Sequence, residues 1–221
     1  MGEQDLYSEL GPLFLEVLPR EEAVQLHAVA PSVVSKSDEF VVKVSVLDEL
    51  GNGLEQWGQE VLIRAPSEDV TLDPTSTLPY TTELTIDEVG VYRLEVSSGG
   101  LTATTNPIEV VDGEYTPIFW GDIHSHHGNS YVDDDGYLIN ENYRYARDVA
   151  LLDVSSESMK LPPHEIESEW LWRRLQESCL EYSIDGEFLT LLGFEWMGGD
   201  DGHHNLYLDA CEQEIPDAID I

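Results

Sequence analysis

Three histidines fall within four positions at His124, His126 and His127, directly after an apolar run (Ile118-Phe119-Trp120), Gly121 and Asp122. Read as a strand, Ile118, Trp120, Asp122, His124 and His126 share one face, because side chains alternate with period two. His124 and His126 would then reach one point from the strand's end. Two imidazoles converging beside a carboxylate suit a divalent transition metal such as zinc, manganese or iron. Glu195 closes a later apolar run, Phe188 to Phe194. His203 and His204 follow the Gly198 to Gly202 loop and stand just before Leu206 to Leu208. The competing reading makes these a His-rich loop, an ordinary surface acid and an exposed histidine pair, with no ligand.

The chain must supply elements that hold these groups. Residues 1–20 are a lead-in, with a short amphipathic turn around Leu13 to Leu18 stopped by Pro19. Residues 21–112 read as all-β. Val42, Val44 and Val46 alternate with Lys43 and Ser45, and Tyr92, Leu94 and Val96 alternate with Arg93 and Glu95. Leu84 and Ile86 flank Thr85, Val61 to Ile63 is a short apolar run, and Gly51-Asn52-Gly53 and Gly99-Gly100 signal turns. About seven short strands without intervening helices predict an immunoglobulin-like β-sandwich. His27 stands alone in that region and reads as a packed or exposed histidine.

Past Gly113 to Pro117 the regime changes to strand and helix in alternation. Ile118 to Ile123 reads as a strand. Tyr143, Ala146, Val149 and Ala150 have helical spacing with Asn140 as N-cap, and Leu151 to Ser155 reads as a second strand. Leu171, Leu175 and Cys179 mark the seam of a helix from about Glu165 to Tyr182, and Phe188 to Phe194 and Leu206 to Leu208 read as further strands. Such alternation predicts βαβ units and a parallel sheet, whose active sites lie at the carboxyl ends of strands. His124, His126, Glu195 and His203 fall at such ends.

Ten basic residues face forty-five acidic ones, for a net charge of −35 spread along the whole length. Lysine is confined to Lys36, Lys43 and Lys160. Spread acidity with 41% apolar residues is unlike a disordered acidic tail. It resembles the surfaces of proteins from salt-accumulating halophiles, where the Debye length shrinks to about 3 Å at 1 M salt and self-repulsion is screened. No basic face is available to displace counterions, which disfavours nucleic-acid binding. No run of about 18 apolar residues spans a membrane. The acidic N-terminus lacks the charge of an export signal, and Cys179 and Cys211, which could pair, are expected to stay as reduced thiols, both pointing to the cytoplasm.

Phe119 to His126 (Phe-Trp-Gly-Asp-Ile-His-Ser-His), Tyr143 to Asp148 (Tyr-Arg-Tyr-Ala-Arg-Asp), Leu191 to Trp196 (Leu-Leu-Gly-Phe-Glu-Trp) and Gly202 to Asn205 (Gly-His-His-Asn) resemble, in order and spacing, a branch of the PHP superfamily, named for polymerase and histidinol phosphatase. That branch carries an all-β region upstream of its barrel. The resemblance implies a distorted (β/α)₇ barrel, a metal cluster and phosphoester hydrolysis. By motif match, His124, His126 and His203 would be metal ligands, Glu195 a bridging carboxylate, and Asp122 a carboxylate that orients an imidazole. The family's second motif, an Asp-His pair, is not found after Leu151 to Asp153, where the chain reads Val154-Ser155-Ser156-Glu157-Ser158-Met159-Lys160. Residues 116–221 also fall short of the roughly 200 a full barrel takes. The expected architecture is therefore a β-sandwich followed by an incomplete α/β PHP-type barrel, with a second chain as the partner that would complete it.

Two functions follow as expectations. The first is a PHP-type metal-dependent hydrolase, a phosphoesterase acting on a small anionic substrate, with at most one weakly held divalent ion because the Asp-His pair is missing. The second is a non-catalytic β-sandwich interaction module carrying a degenerate barrel remnant. Calcium binding by Asp133-Asp134-Asp135 or Asp200-Asp201 lacks the ligand spacing of an EF-hand.

Overall fold

Valines at every second position build the first core. Val42, Val44 and Val46 are wholly buried on β3 (Phe40–Leu47). Each contributes roughly 1.5–3 kcal/mol over leaving it in water. The structure is a computed structural model that describes residues 22–126, 137–161, 169–197 and 202–211. The lead-in, His127 and the Asp133–Asp135 and Asp200–Asp201 runs lie outside the described residues.

Ten strands in three sheets enclose that core. Antiparallel β1 (Gln25–Val29) and β6 (Tyr80–Leu84) flank β3. In the second sheet β10 (Ile108–Val111) pairs in parallel with β2 (Val33–Ser35) and antiparallel with β7 (Gly90–Tyr92). In the third, β5 (Asp69–Leu72), β4 (Val61–Arg64), β8 (Glu95–Ser98) and β9 (Leu101–Thr104) run antiparallel in that order. The Tyr92, Leu94, Val96 alternation, expected as one strand, is cut between β7 and β8 because the chain changes sheet there. Gly99 and Gly100 join β8 to β9 with φ of 54° and 87°, the two left-handed positions of a tight hairpin turn.

The remaining elements form one five-stranded sheet with helices. β11 (Gly121–Ser125) pairs in parallel with β12 (Val154–Glu157), and β12 with the first half of β14 (Leu189–Met197). The second half of β14 pairs in parallel with the short β13 (Lys160–Leu161) and antiparallel with β15 (His203–Leu208). Helix α1 (Tyr137–Arg144) runs into a π-helical turn (Tyr145–Val149), and α2 (Glu169–Tyr182) precedes β14. Leu171, Leu175 and Cys179 line the buried seam of α2 and pack with Ile139, Tyr143, Phe188, Leu192 and Phe194.

The α/β PHP-type barrel expected here is not what the chain builds. The described residues are mostly β, with α-helices of only 8 and 14 residues, and this sheet is open. The alternation stops at β14, which is followed directly by an antiparallel strand where a barrel would require a helical crossover. The barrel and its truncation are therefore set aside.

Smaller expectations also change. The strand expected from Ile118 begins only at Gly121, and Ile118, Phe119 and Trp120 are 50%, 69% and 57% exposed. Gly121 sits so close to Val154 that any side chain at this position would collide with it. Asn140 does not cap a helix. It lies inside α1, and its Oδ1 accepts a bond from Ser178 Oγ at 2.6 Å. Cys179 and Cys211, expected as thiols, form a disulfide. Packing of α2 on the β14–β15 hairpin brings their Cα atoms to 5.7 Å, within disulfide reach, which the sequence separation of 32 does not reveal. No described helix is long and apolar enough to cross a membrane.

His27 joins the all-β half to the half that carries the five-stranded sheet. Its Nε2 lies 3.1 Å from the Ala150 carbonyl, and Ser45 Oγ donates to Val149 O at 2.8 Å. These side chains satisfy carbonyls left open at the end of the helical turn. Tyr145 Oη donates to Gly51 O at 3.0 Å, and Trp120 Nε1 donates to Ser32 Oγ at 2.8 Å.

Candidate metal centre

A break in the ladder shapes the first ligand pair. The β11–β12 register shifts between Asp122 and Ser125, and Asp122 Oδ1 accepts the His124 backbone N–H at 2.9 Å. The Asp122 carboxylate thus bonds the backbone of the irregularity, where it was expected to hold an imidazole. Ser125 is drawn the other way, its Oγ donating to Ser156 O at 3.0 Å and accepting from Asn142 Nδ2 at 2.8 Å. The alternate residues His124 and His126 meet, with Nε2 atoms 3.0 Å apart.

β14 brings the carboxylate. Glu195 N donates to Met159 O at 2.9 Å, which fixes the strand beside β13, and only 5% of Glu195 is exposed. Its Oε2 lies 3.0 Å from His126 Nε2 and 3.4 Å from His124 Nε2. Its Oε1 lies 2.5 Å from His203 Nδ1 on β15. His203 was expected just before the last strand, and it is the first residue of that strand, pairing with Met197.

Ligand-type atoms of His124, His126 and Glu195 therefore lie within 4.8 Å of one another. Ligands held at about 2.0–2.1 Å from a tetrahedral zinc sit roughly 3.3 Å apart. The observed separations of 3.0, 3.0 and 3.4 Å match that triangle, so the donor set fits a divalent ion. His203 touches the other carboxylate oxygen and stands at the rim of the group.

Burial, the largest single influence, pushes the Glu195 carboxyl up. The contacts with His203 and His124 and the nearness of Lys160 and His126 together outweigh it, and the carboxyl is held below its ordinary range. Glu195 is thus kept as the carboxylate that a cation requires.

Two supporting residues carry no role in the sequence reading. Asn205 Nδ2 lies 3.1 Å from His124 Nδ1, so this side-chain amide faces the nitrogen that the metal would not use. With the amide turned to present its oxygen, it would accept Nδ1–H and leave Nε2 free to ligate. Asn205 was visible only as the last letter of Gly-His-His-Asn. Tyr207 Oη donates to Ile123 O at 2.6 Å, tying β15 across to β11. A side chain at Gly193 would collide with the Tyr207 ring and Ser156 Oγ, so glycine is required where that tyrosine crosses β14.

Among known proteins, no family model matches the chain. An uncharacterized protein of Chlamydia pneumoniae is 24% identical over 183 residues, which cover 79% of this chain and 29% of that protein. The chain thus spans under a third of that relative's length. Among solved structures, the CARDB domain of a Pyrococcus furiosus protein is 21% identical, with a TM-score of 0.27 over 42% of this chain and 97% of that domain. The PKD domain of an M14-like peptidase from a Thermoplasmatales archaeon is 11% identical, also with a TM-score of 0.27, over 41% of this chain and 94% of that domain. Both neighbours are β-domains, and nothing in these comparisons points to the PHP superfamily.

Proposed function

We propose that this chain is a metal-dependent hydrolase, acting on phosphoesters through one divalent ion held by His124, His126 and Glu195. The observation that carries the reading is the convergence of these three donors at tetrahedral-ligand separations. A divalent ion held there would lower the pKa of a bound water and polarise a phosphoryl oxygen. The chain's own part is to hold and orient. Glu195 stays ionised and buried, and Asn205 fixes the His124 ring. Near Glu195 Oε1, His203 is the group placed to hold or pass a proton at the edge of the site. The exposed sides of His124 and His203 leave the centre open to a ligand.

The test is hydrolysis of p-nitrophenyl phosphate by protein loaded with zinc or manganese. Turnover that disappears in His126→Ala and on chelation is expected. A loaded protein that holds metal but turns over no phosphoester would reduce the reading to a non-catalytic metal-binding protein.

A further inference from the structure

Lysine is scarce in this chain, and one of its three lysines stands beside the candidate metal centre. Lys36 is paired with Asp112 at 3.0 Å. Lys160 lies on β13 directly opposite Glu195 in a parallel pair. Residues opposite each other on neighbouring strands project to the same face of the sheet. Lys160 therefore shares the face from which Glu195 meets the three imidazoles, and it is exposed. Among the described residues no carboxylate forms an ion pair with Lys160, in a chain with forty-five acids.

An ammonium beside a cation site would weaken metal binding if it had no other use. The same placement is useful for an anion, which the net charge of −35 would otherwise repel. Lysine serves phosphate as a compact point charge on a flexible stem. We propose that Lys160 is the anion anchor of the site, seating a phosphoryl group of the substrate between its ammonium and the ion held by His124, His126 and Glu195. This rests on the metal-centre reading and adds the substrate's charge class and the residue that selects it. A dianionic phosphate monoester satisfies both cations, whereas a neutral ester offers the ammonium no charge to hold.

The experiment measures two affinities of the whole protein at one fixed salt concentration. Manganese binding is titrated first, and inorganic phosphate binding to the manganese-loaded protein is then followed by broadening of the phosphorus resonance. In Lys160→Met, phosphate affinity should fall about tenfold or more while manganese binds as well as in the parent or better. Lys160→Arg should restore most of the phosphate affinity. Phosphate affinity unchanged in Lys160→Met overturns the anchor and leaves the metal centre standing. Loss of both affinities together also overturns it, because that marks a lysine that only supports Glu195 and the sheet. A parent that takes up no manganese overturns the metal centre and the anchor with it.

Discussion

The two halves of the molecule bury different things. The sandwich core is an almost purely apolar set, from Leu26 and Val42 through Val61, Ile63 and Leu94 to Val110. Buried Ser45, Asp48, Ser98 and Thr105 bond to the structure's own framework, while Tyr80 Oη has no hydrogen-bond partner among the described residues. Asp48, for example, accepts from Leu50 N, Asn52 N and Asn52 Nδ2 within a turn. The five-stranded sheet buries Ser155, Ser156, Glu157, Ser158, Thr190 and Glu195 along and beside neighbouring strands, with Asn142 bonded to Glu157 Oε2 at 2.9 Å. Burying polar groups costs stability unless each is paired; here Ser156, Glu157, Ser158 and Thr190 are paired, and Ser155 Oγ has no partner among the described residues. The all-β half is thus built for stability, and the five-stranded sheet gives up apolar packing to hold a polar site.

The contrast can be broken by cutting each core in turn. Phe194 is wholly buried on β14, one residue before Glu195, and Ile63 is wholly buried on β4. Phe194→Ala should destabilise by about 3–5 kcal/mol, and Ile63→Ala by about 2–5 kcal/mol. Measured by denaturant unfolding alongside metal titration, Phe194→Ala should abolish metal uptake under conditions where Ile63→Ala, still folded, retains it. Equal loss of metal in two equally destabilised variants would mean that the halves do not differ in this way.

A smaller change sharpens the same point within the site. Asn205→Leu removes the amide that faces His124 Nδ1 while keeping similar volume. Metal affinity should fall about 10–100-fold, the usual cost of losing an outer-shell partner, with little change in melting temperature. Asn205→Asp should hold or tighten the metal, since a carboxylate accepts Nδ1–H more strongly. An Asn205→Leu variant that binds like the parent would remove Asn205 from the account.

The smallest effect is on acid stability. Because the Glu195 carboxyl is held below its ordinary value, its ionised form stabilises the fold at pH above about 4.3. That contribution is lost as pH falls through the lowered value. In metal-free protein, Glu195→Gln should therefore flatten the fall in stability over this acid range. A parallel pH dependence in parent and variant would contradict the assignment.

These contrasts explain what could be read from the residues alone. Val42, Val44 and Val46 announced β3 because one face of that strand is buried and the signal is local. Ile118-Phe119-Trp120 misled because hydrophobicity records what a residue prefers and not what covers it. The ladder of β11 begins one residue later, at Gly121. The π-helical turn after α1 and the sheet change between β7 and β8 arise from packing between distant segments, as does the Cys179–Cys211 pairing. His124, His126, Glu195 and His203 could be singled out because ligand chemistry restricts residue type. Asn205 and Tyr207 could not, because their roles exist only once β15 pairs with β14 and leans across to β11. The barrel was an extension of motif spacing into architecture, and the antiparallel turn from β14 to β15 ends that alternation.

The most direct measurement of the central claim is metal stoichiometry after chelator-free purification and zinc titration, with His124→Ala and Glu195→Ala beside the parent. The account predicts one ion per chain in the parent, released by a chelator, and none held in either variant. A parent without metal, or variants that bind as the parent does, would contradict it.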